Sequence, residues 1–142
     1  MNLFRTNITL IVAATLLSAC GGGDIIDPPI VPDIKANPSF STDIQEIFTR
    51  EGCTVAGCHG SQQNGGLDLR SGASYAELVN VTAEGEATRV RVVPNDAAIS
   101  YLVIKLEGGQ TFGDAMPISG GSLDNNDLTN IKNWINTGAP NN

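Results

Sequence analysis

The sequence predicts a small, mainly α-helical domain that follows a cleavable leader and a flexible tether. Three observations support this division of the 142 residues. Apolar residues recur at helical spacing near both ends of 39–142, residues 20–38 combine glycine and proline without a helical period, and residues 1–19 contain a short apolar run. We therefore expect a signal peptide over 1–19, a tether over 20–38 and one folded domain over 39–142.

The leader has the organisation of a bacterial signal peptide. Arg5 supplies a positive charge, and the apolar run 8–17 is short for a membrane span. The sequence Leu17-Ser18-Ala19-Cys20 resembles the lipobox of bacterial lipoproteins, in which the cysteine is lipidated and becomes the first mature residue. Because Gly21 follows, not aspartate, the resemblance implies a Cys20 lipid anchor in the outer membrane, facing the periplasm or the cell exterior. The alternative is an ordinary signal peptide cleaved nearby, with Cys20 incidental.

The tether and the net charge limit the kinds of partner. Residues 21–38 contain four prolines and read as a spacer that spans roughly 50 Å when extended, at about 3 Å per residue. The chain has a formal net charge of −7, which argues against nucleic acid as a partner because basic patches provide that affinity. An acidic balance favours solubility and a basic partner, although a generic acidic exported protein would share it.

The first helix of the domain is predicted over Phe40–Arg50. Its apolar residues fall at i, i+4, i+7 and i+8 and form one stripe: Phe40, Ile44, Ile47 and Phe48. Ser41 or Thr42 can cap it, and Thr42 and Gln45 have capping-box spacing. Gly52 is suited to end it, so that the helix leads directly into Cys53.

The sequence in the middle of the domain predicts shorter elements of secondary structure. Ser74–Asn80 has the pattern of a short helix with Tyr75, Leu78 and Val79 facing inward. Residues 81–88 are polar and expected to be exposed, 89–93 is expected to be extended, and 108–117 is a loop by composition.

A further helix is predicted from an Asp96 cap to Leu106. Its inward face would consist of Ile99, Leu102, Val103 and Leu106. Its content of β-branched residues leaves a strand as the alternative.

The last helix has the clearest signals. Leu123 and Leu128 occupy hydrophobic-staple positions around an Asp124 cap. Gly138 is expected to end the helix, and Pro140 prevents its continuation. One face is apolar beside Trp134: Leu128, Ile131 and Ile135.

The stretch Cys53-Thr54-Val55-Ala56-Gly57-Cys58-His59 carries the chemistry. Two thiols followed at once by an imidazole form the arrangement that attaches a c-type haem, usually with two residues between the cysteines. Here the spacer has four residues and must loop outward, because the separation of the porphyrin vinyl groups does not change. The spacer residues are small, and Gly57 permits backbone angles that other residues would not tolerate. The motif therefore predicts one covalent haem c, with His59 beneath the iron.

A methionine provides a candidate for the opposite axial position. Met116 is the only methionine besides Met1, and it precedes proline in a glycine-rich loop. A lone methionine is more often core filler, but a loop position downstream of a haem motif favours ligation. A His/Met pair stabilises the ferrous state and raises the reduction potential.

A string of motifs in the folded domain resembles the monohaem c-type cytochromes, and more narrowly a bacterial group of exported cytochrome-like domains. These motifs are Cys58-His59-Gly60, Gly66-Leu67-Asp68-Leu69, Val92-Val93-Pro94, Ser100-Tyr101-Leu102, Lys105-Leu106, Met116-Pro117, and Trp134-Ile135 through Gly138-Ala139-Pro140. The resemblance covers 40–140 and implies a small cytochrome c-like helical fold around one haem. It implies thioethers on Cys53 and Cys58, and axial ligation by His59 and Met116. It also implies that the terminal helices cross, bringing Phe48 or Ile44 toward Trp134 or Ile131.

Two alternatives to haem follow from the same residues. Cys53 and Cys58 could form a disulfide in an oxidising compartment, in a lipoprotein that serves as a binding or structural module. So short a loop would stabilise the fold weakly. A zinc site is disfavoured, because Cys53, Cys58 and His59 supply three ligands and the sequence shows no clear fourth.

The sequence predicts an electron carrier with redox protein partners, not an enzyme. A methionine-ligated iron is closed to substrates, and the chain has no second histidine, nucleophile elbow, phosphate loop or clustered carboxylate pair. The sequence predicts no particular oligomeric state.

Overall fold

The computed structural model describes residues 33–118 and 121–142, and the predicted leader, Cys20 and the tether up to residue 32 lie outside these ranges. Helix α1 consists of a π-helical segment, Phe40–Ile44, continued by an α-helical segment, Gln45–Arg50. The other helices are α2 (Ser74–Leu78), α3 (Tyr101–Leu106) and α4 (Asn125–Asn136), and Asn64–Gly66 forms a 3₁₀ turn. The described part of the chain is therefore mainly helical, as predicted, and holds isolated β-bridges but no strand.

None of the helices in the described ranges has the length and apolar character needed to cross a bilayer.

Helix α1 begins differently from the predicted capping box. The side chains of Ser41 and Thr42 do not cap it; Asn142 accepts the first amide hydrogens instead. Its Oδ1 accepts from the Phe40 amide at 2.9 Å, and its backbone oxygen accepts from the Ser41 amide at 2.8 Å. A partner distant in sequence thus satisfies donors that helix geometry leaves unpaired.

Gln45, the other member of that predicted box, is buried and points elsewhere. Its Nε2 donates to the backbone oxygen of Leu69 at 2.9 Å, and its Oε1 accepts from the Ser74 hydroxyl at 2.5 Å. Burial of an amide requires partners for both its ends, and these two bonds join α1 to the start of α2.

The predicted helix α2 is confirmed, with Leu78 fully buried and Tyr75 and Val79 packed against the core. The extended segment predicted at 89–93 makes isolated bridges, Val79 with Val92 and Thr82 with Val90. Most of 81–88 is exposed, but Ala83 is buried.

Helix α3 begins later than predicted. Asp96 caps only a turn, accepting from the amides of Ala98 and Ile99 at 3.1 and 3.3 Å. The Tyr101 amide donates to the Val90 oxygen at 3.0 Å, whereas a helix that began at Asp96 would direct it to residue 97. Ile99, predicted to face inward, is therefore exposed.

Helix α4 follows its prediction closely. The Asp124 carboxylate accepts from the amides of Asn126 and Asp127, and Leu123 and Leu128 pack against the core on either side of the cap. At the other end, Gly138 has φ 100°, and the Ala139 amide donates to the Trp134 oxygen at 2.9 Å. These contacts form a Schellman motif, the ending that a glycine after the helix favours.

The core joins α1 to α4. The rings of Phe40 and Trp134 lie 5.1 Å apart between centroids, so the aromatic contact across the terminal helices involves Phe40. Arg50 Nη2 also donates to both carboxylate oxygens of Asp127, at 2.8 and 2.9 Å. This bond raises the pKa of Arg50 above its ordinary value, and the pair connects the last residue of α1 to the first turn of α4.

The folded unit includes residues 33–38, which the sequence analysis assigned to the tether. The Asn130 amide group accepts from the Lys35 backbone at 2.7 Å and donates to the Asp33 oxygen at 2.9 Å. Asn133 donates to the Lys35 oxygen at 2.8 Å, and Pro38 is fully buried. The incoming chain is thereby bound along α4.

Candidate functional site

Cys53 owes its position to the end of α1. Gly52 adopts φ 72°, and its amide donates to the Thr49 oxygen. The Cys53 amide donates to the Phe48 oxygen at 2.9 Å, which completes a second Schellman motif. Cys53 is half-buried and packs against the core. The end of α1 therefore determines where the motif begins.

The four-residue spacer folds into a closed loop. The His59 amide donates to the Cys53 oxygen at 3.0 Å, so the two ends of the motif are joined through the backbone. Inside the loop, the Val55 oxygen accepts from the amides of Cys58 and Gly60, at 3.0 and 3.2 Å. Val55 is 53% exposed, and Ala56 and Gly57 are exposed beside it, so the middle of the spacer lies at the surface.

Gly60 allows this loop to close. A Cβ on Gly60 would lie 2.2 Å from the Thr54 oxygen and 2.7 Å from the Val55 oxygen, both backbone atoms. Gly57, the glycine expected to relieve strain, does not have a positive φ, and a Cβ there would meet no atom within 4 Å. The prediction about Gly57 was wrong because the close approach occurs where the spacer folds back, beyond His59.

The His59 ring is oriented by one hydrogen bond. Its Nδ1 lies 2.8 Å from the backbone oxygen of Asn64. Since a carbonyl oxygen only accepts, Nδ1 carries the proton and Nε2 keeps its lone pair. Burial lowers the pKa of His59, as do the charges of Arg91 and Lys105, against the raising effect of the Asn64 bond. The result is a neutral imidazole with one nitrogen ready to bind a metal.

Asn64 holds the loop at three points, and nothing in the sequence pattern singled it out. Its oxygen receives the His59 Nδ1 bond, its amide donates to the Cys58 oxygen at 3.1 Å, and its side chain donates to the Gly57 oxygen at 2.7 Å. The only signal in the sequence is its place in a turn-rich segment, where asparagine is common for many reasons.

Arg91 is a second residue that the sequence did not indicate. Its buried guanidinium donates to the backbone oxygens of Gly65 and Gly66 at 3.2 and 2.9 Å, directly after Asn64. The same group binds Glu77, through the backbone oxygen at 2.8 Å and the carboxylate at 3.1 Å. Arg91 therefore ties the turn behind His59 to α2.

Met116 is half-buried, in a loop whose residues 111–115 are exposed. Its amide donates to the Lys105 oxygen at 3.0 Å. Lys105 also lies close enough to His59 for its charge to lower the pKa of that ring. Met116 is thus attached to α3 through Lys105, whose charge also acts on the His59 ring.

The two thiols of the motif are free in the structure. Burial and the charge of Glu51 raise the pKa of Cys53 to about 11, so this thiol is protonated at neutral pH. Within 33–118 and 121–142, no three His, Cys, Asp or Glu side chains are grouped closely enough to hold a metal ion. Cys53, Cys58 and His59 therefore do not form a three-ligand group in the described part of the chain.

The chain matches no protein-family model, no curated protein and no solved structure. The features that bear on function are therefore those of the chain itself, in the loops of Cys53, Cys58, His59 and Met116.

Two surface cavities lie elsewhere. One, of about 250 Å³, lies between α1 and α2 beside Phe40 and Tyr75. The other, of about 360 Å³, lies between α3 and α4 beside Val103 and Lys132. Neither is lined by a residue of the motif or by Met116.

Proposed function

We propose that this chain is an electron-transfer protein that carries one covalently attached haem c. Cys53 and Cys58 would form the thioethers, His59 the proximal ligand and Met116 the distal ligand. The observation that carries the proposal is the orientation of His59: its Nδ1 is bound to the Asn64 oxygen, which leaves Nε2 as the ligand atom. Metal-binding histidines in proteins commonly use such a bond to fix the tautomer and the ring direction.

The residues of the motif fit a haem better than a bare metal ion. In c-type attachment each thiol adds across a vinyl group, so the sulfurs need to reach the porphyrin edge and not the iron. Cys53 and Cys58 are half-buried thiols that do not converge with His59 on one point, which agrees with that requirement. The hydrogen bond from the His59 amide to the Cys53 oxygen keeps the longer spacer compact.

The bound haem would supply a one-electron Fe(III)/Fe(II) couple. The contribution of the chain is to hold the ring of His59, keep it neutral and place Met116 in a loop attached to α3. A thioether on the sixth position leaves no open site for substrate. We therefore propose a carrier and not an enzyme, on a cytochrome c-like fold in which α1 leads into the motif and packs on α4.

Cys20 would attach this carrier to the outer membrane by its lipid, through the tether. The net charge of −7 favours redox protein partners with a basic docking face. Since the chain is bound along α4 from Asp33 onward, the spacer between Cys20 and the domain would end before that residue.

The function is tested by voltammetry of the haem-loaded protein and its Met116→Ala variant. We expect a reversible one-electron wave for the natural chain, and a lower potential in the variant because the thioether favours Fe(II). The ferric thioether charge-transfer band should also disappear. A natural chain with haem but no reversible wave would contradict the carrier function, and an unchanged band in Met116→Ala would exclude that ligand.

A further inference from the structure

The loop that carries Met116 has few attachments to the rest of the domain. Residues 111–115 are exposed, so burial of apolar surface contributes little to its position. At its start, the Thr111 hydroxyl donates to Glu86 at 3.1 Å, and the Phe112 ring lies against Gly85. From Phe112 to Met116, the backbone oxygens of the loop accept hydrogen bonds from two side chains of α3, Lys105 and Tyr101.

Lys105 makes most of those contacts. Its Nζ donates to the backbone oxygens of Phe112 and Asp114, both at 2.8 Å, while its own backbone oxygen accepts from the Met116 amide at 3.0 Å. These three bonds hold the segment 112–116, which ends at Met116, against α3. Hydrogen bonds from a charged donor are stronger than neutral ones, and here two of them end on one short segment.

The lysine itself is held in place by its surroundings. It lies in the last turn of α3, and its Nζ is 5.5 Å from the centre of the Tyr101 ring. The Tyr101 hydroxyl donates to the same Phe112 oxygen at 3.4 Å. Gly113 has φ 66°, and a Cβ on it would lie 3.2 Å from Nζ, so the loop fits closely around the ammonium group.

We infer that Lys105 is a positioning residue that keeps the Met116 loop closed and so determines how readily small ligands reach the sixth position of the iron. The inference depends on the proposed function, because it assigns Met116 to that position. Lys105 does not touch the iron in this account. It acts by holding the two carbonyl groups that precede Met116 in the loop.

The test compares Lys105→Met with Lys132→Met. The first change keeps an unbranched side chain and removes the ammonium donors. The second removes the same charge from a lysine that pairs with Glu107 at the surface. In ferric haem-loaded protein we expect imidazole to bind at least about tenfold faster to Lys105→Met than to the natural chain, because the loop opens more often. Lys132→Met should bind imidazole at the natural rate.

Hydrogen exchange of the Met116 amide, which donates to the Lys105 backbone oxygen, supplies a readout that does not depend on haem. We expect exchange of this amide to accelerate in Lys105→Met, because the loop opens more often, while α4 exchanges as in the natural chain. Gly113→Ala changes no charge but places a Cβ 3.2 Å from Nζ on a backbone with φ 66°, which strains an alanine, and it should accelerate exchange of the same amide.

Natural exchange and imidazole rates in Lys105→Met would overturn the inference, as would equal acceleration by Lys132→Met. If the natural chain contains no haem, the proposed function is contradicted, but the role of Lys105 in the loop is not. The exchange of the Met116 amide then decides whether Lys105 holds the loop.

Discussion

Gly60→Ala is expected to reduce haem attachment by about tenfold or more, whereas Gly57→Ala should leave it near the natural level. The added Cβ at position 60 would lie 2.2 Å from the Thr54 oxygen, and the atoms that must move belong to the backbone of the spacer. Overpacking of this kind costs about 1–3 kcal/mol, and each 1.4 kcal/mol is a factor of ten in the population of the closed loop.

Gly57→Ala is the matched control, because it makes the same change three residues away. Its Cβ would enter open space from a backbone without positive φ, and replacing such a glycine can even stabilise a fold slightly. Haem content per polypeptide, measured by pyridine haemochrome after expression with a maturation system, compares the two. Equal haem content in both variants would contradict the role given to Gly60.

The second large effect is expected at the Arg50–Asp127 pair. In Arg50→Met, the Asp127 carboxylate keeps its burial, with 0% of its side chain exposed, and loses both bonds from the guanidinium. Removing one partner of a buried pair costs about 3–5 kcal/mol. Because Arg50 is itself 37% exposed, water can reach the carboxylate in part, and we expect a loss just below that range, about 2–3 kcal/mol.

Urea unfolding of Arg50→Met and Glu46→Gln measures this loss against a control. Glu46 also pairs with Arg50, but it is an exposed partner one turn away, worth about 0.3–0.5 kcal/mol. Adding Asp127→Asn to Arg50→Met should recover part of the stability by removing the buried charge. A loss in Arg50→Met no larger than that in Glu46→Gln would show that the buried pair does not join α1 to α4 energetically.

Helix α4 could be predicted because its signals are local. In α4, a cap, a staple and a terminal glycine lie within a few residues of the apolar stripe, and each acts through neighbours along the chain. The beginnings of α1 and α3 could not be predicted in the same way. Asn142 receives the first amides of α1, and the Val90 oxygen receives that of Tyr101, so distant segments override the local caps.

The site divides along the same line. Cys53, Cys58, His59 and Met116 were predicted from their own chemistry, which the sequence displays. The side chains of Asn64, Arg91 and Lys105 hold the loops of this candidate site by donating to backbone oxygens. Every residue carries such an oxygen, so sequence alone does not show which one a side chain will reach. The sequence also does not show that the loop requires a glycine at position 60 and not at position 57, because this depends on where the spacer folds back.

The central claim, one covalent haem on Cys53 and Cys58, is tested most directly by intact mass spectrometry of the mature protein. The protein should be isolated from membranes of cells that possess a haem c maturation system and treated with iodoacetamide before measurement. The account predicts a polypeptide that begins at Cys20 and carries one haem and its lipid, with no alkylation at Cys53 or Cys58. A haem-free mass with both thiols alkylated, or one lower by two hydrogens because of a disulfide, would contradict it.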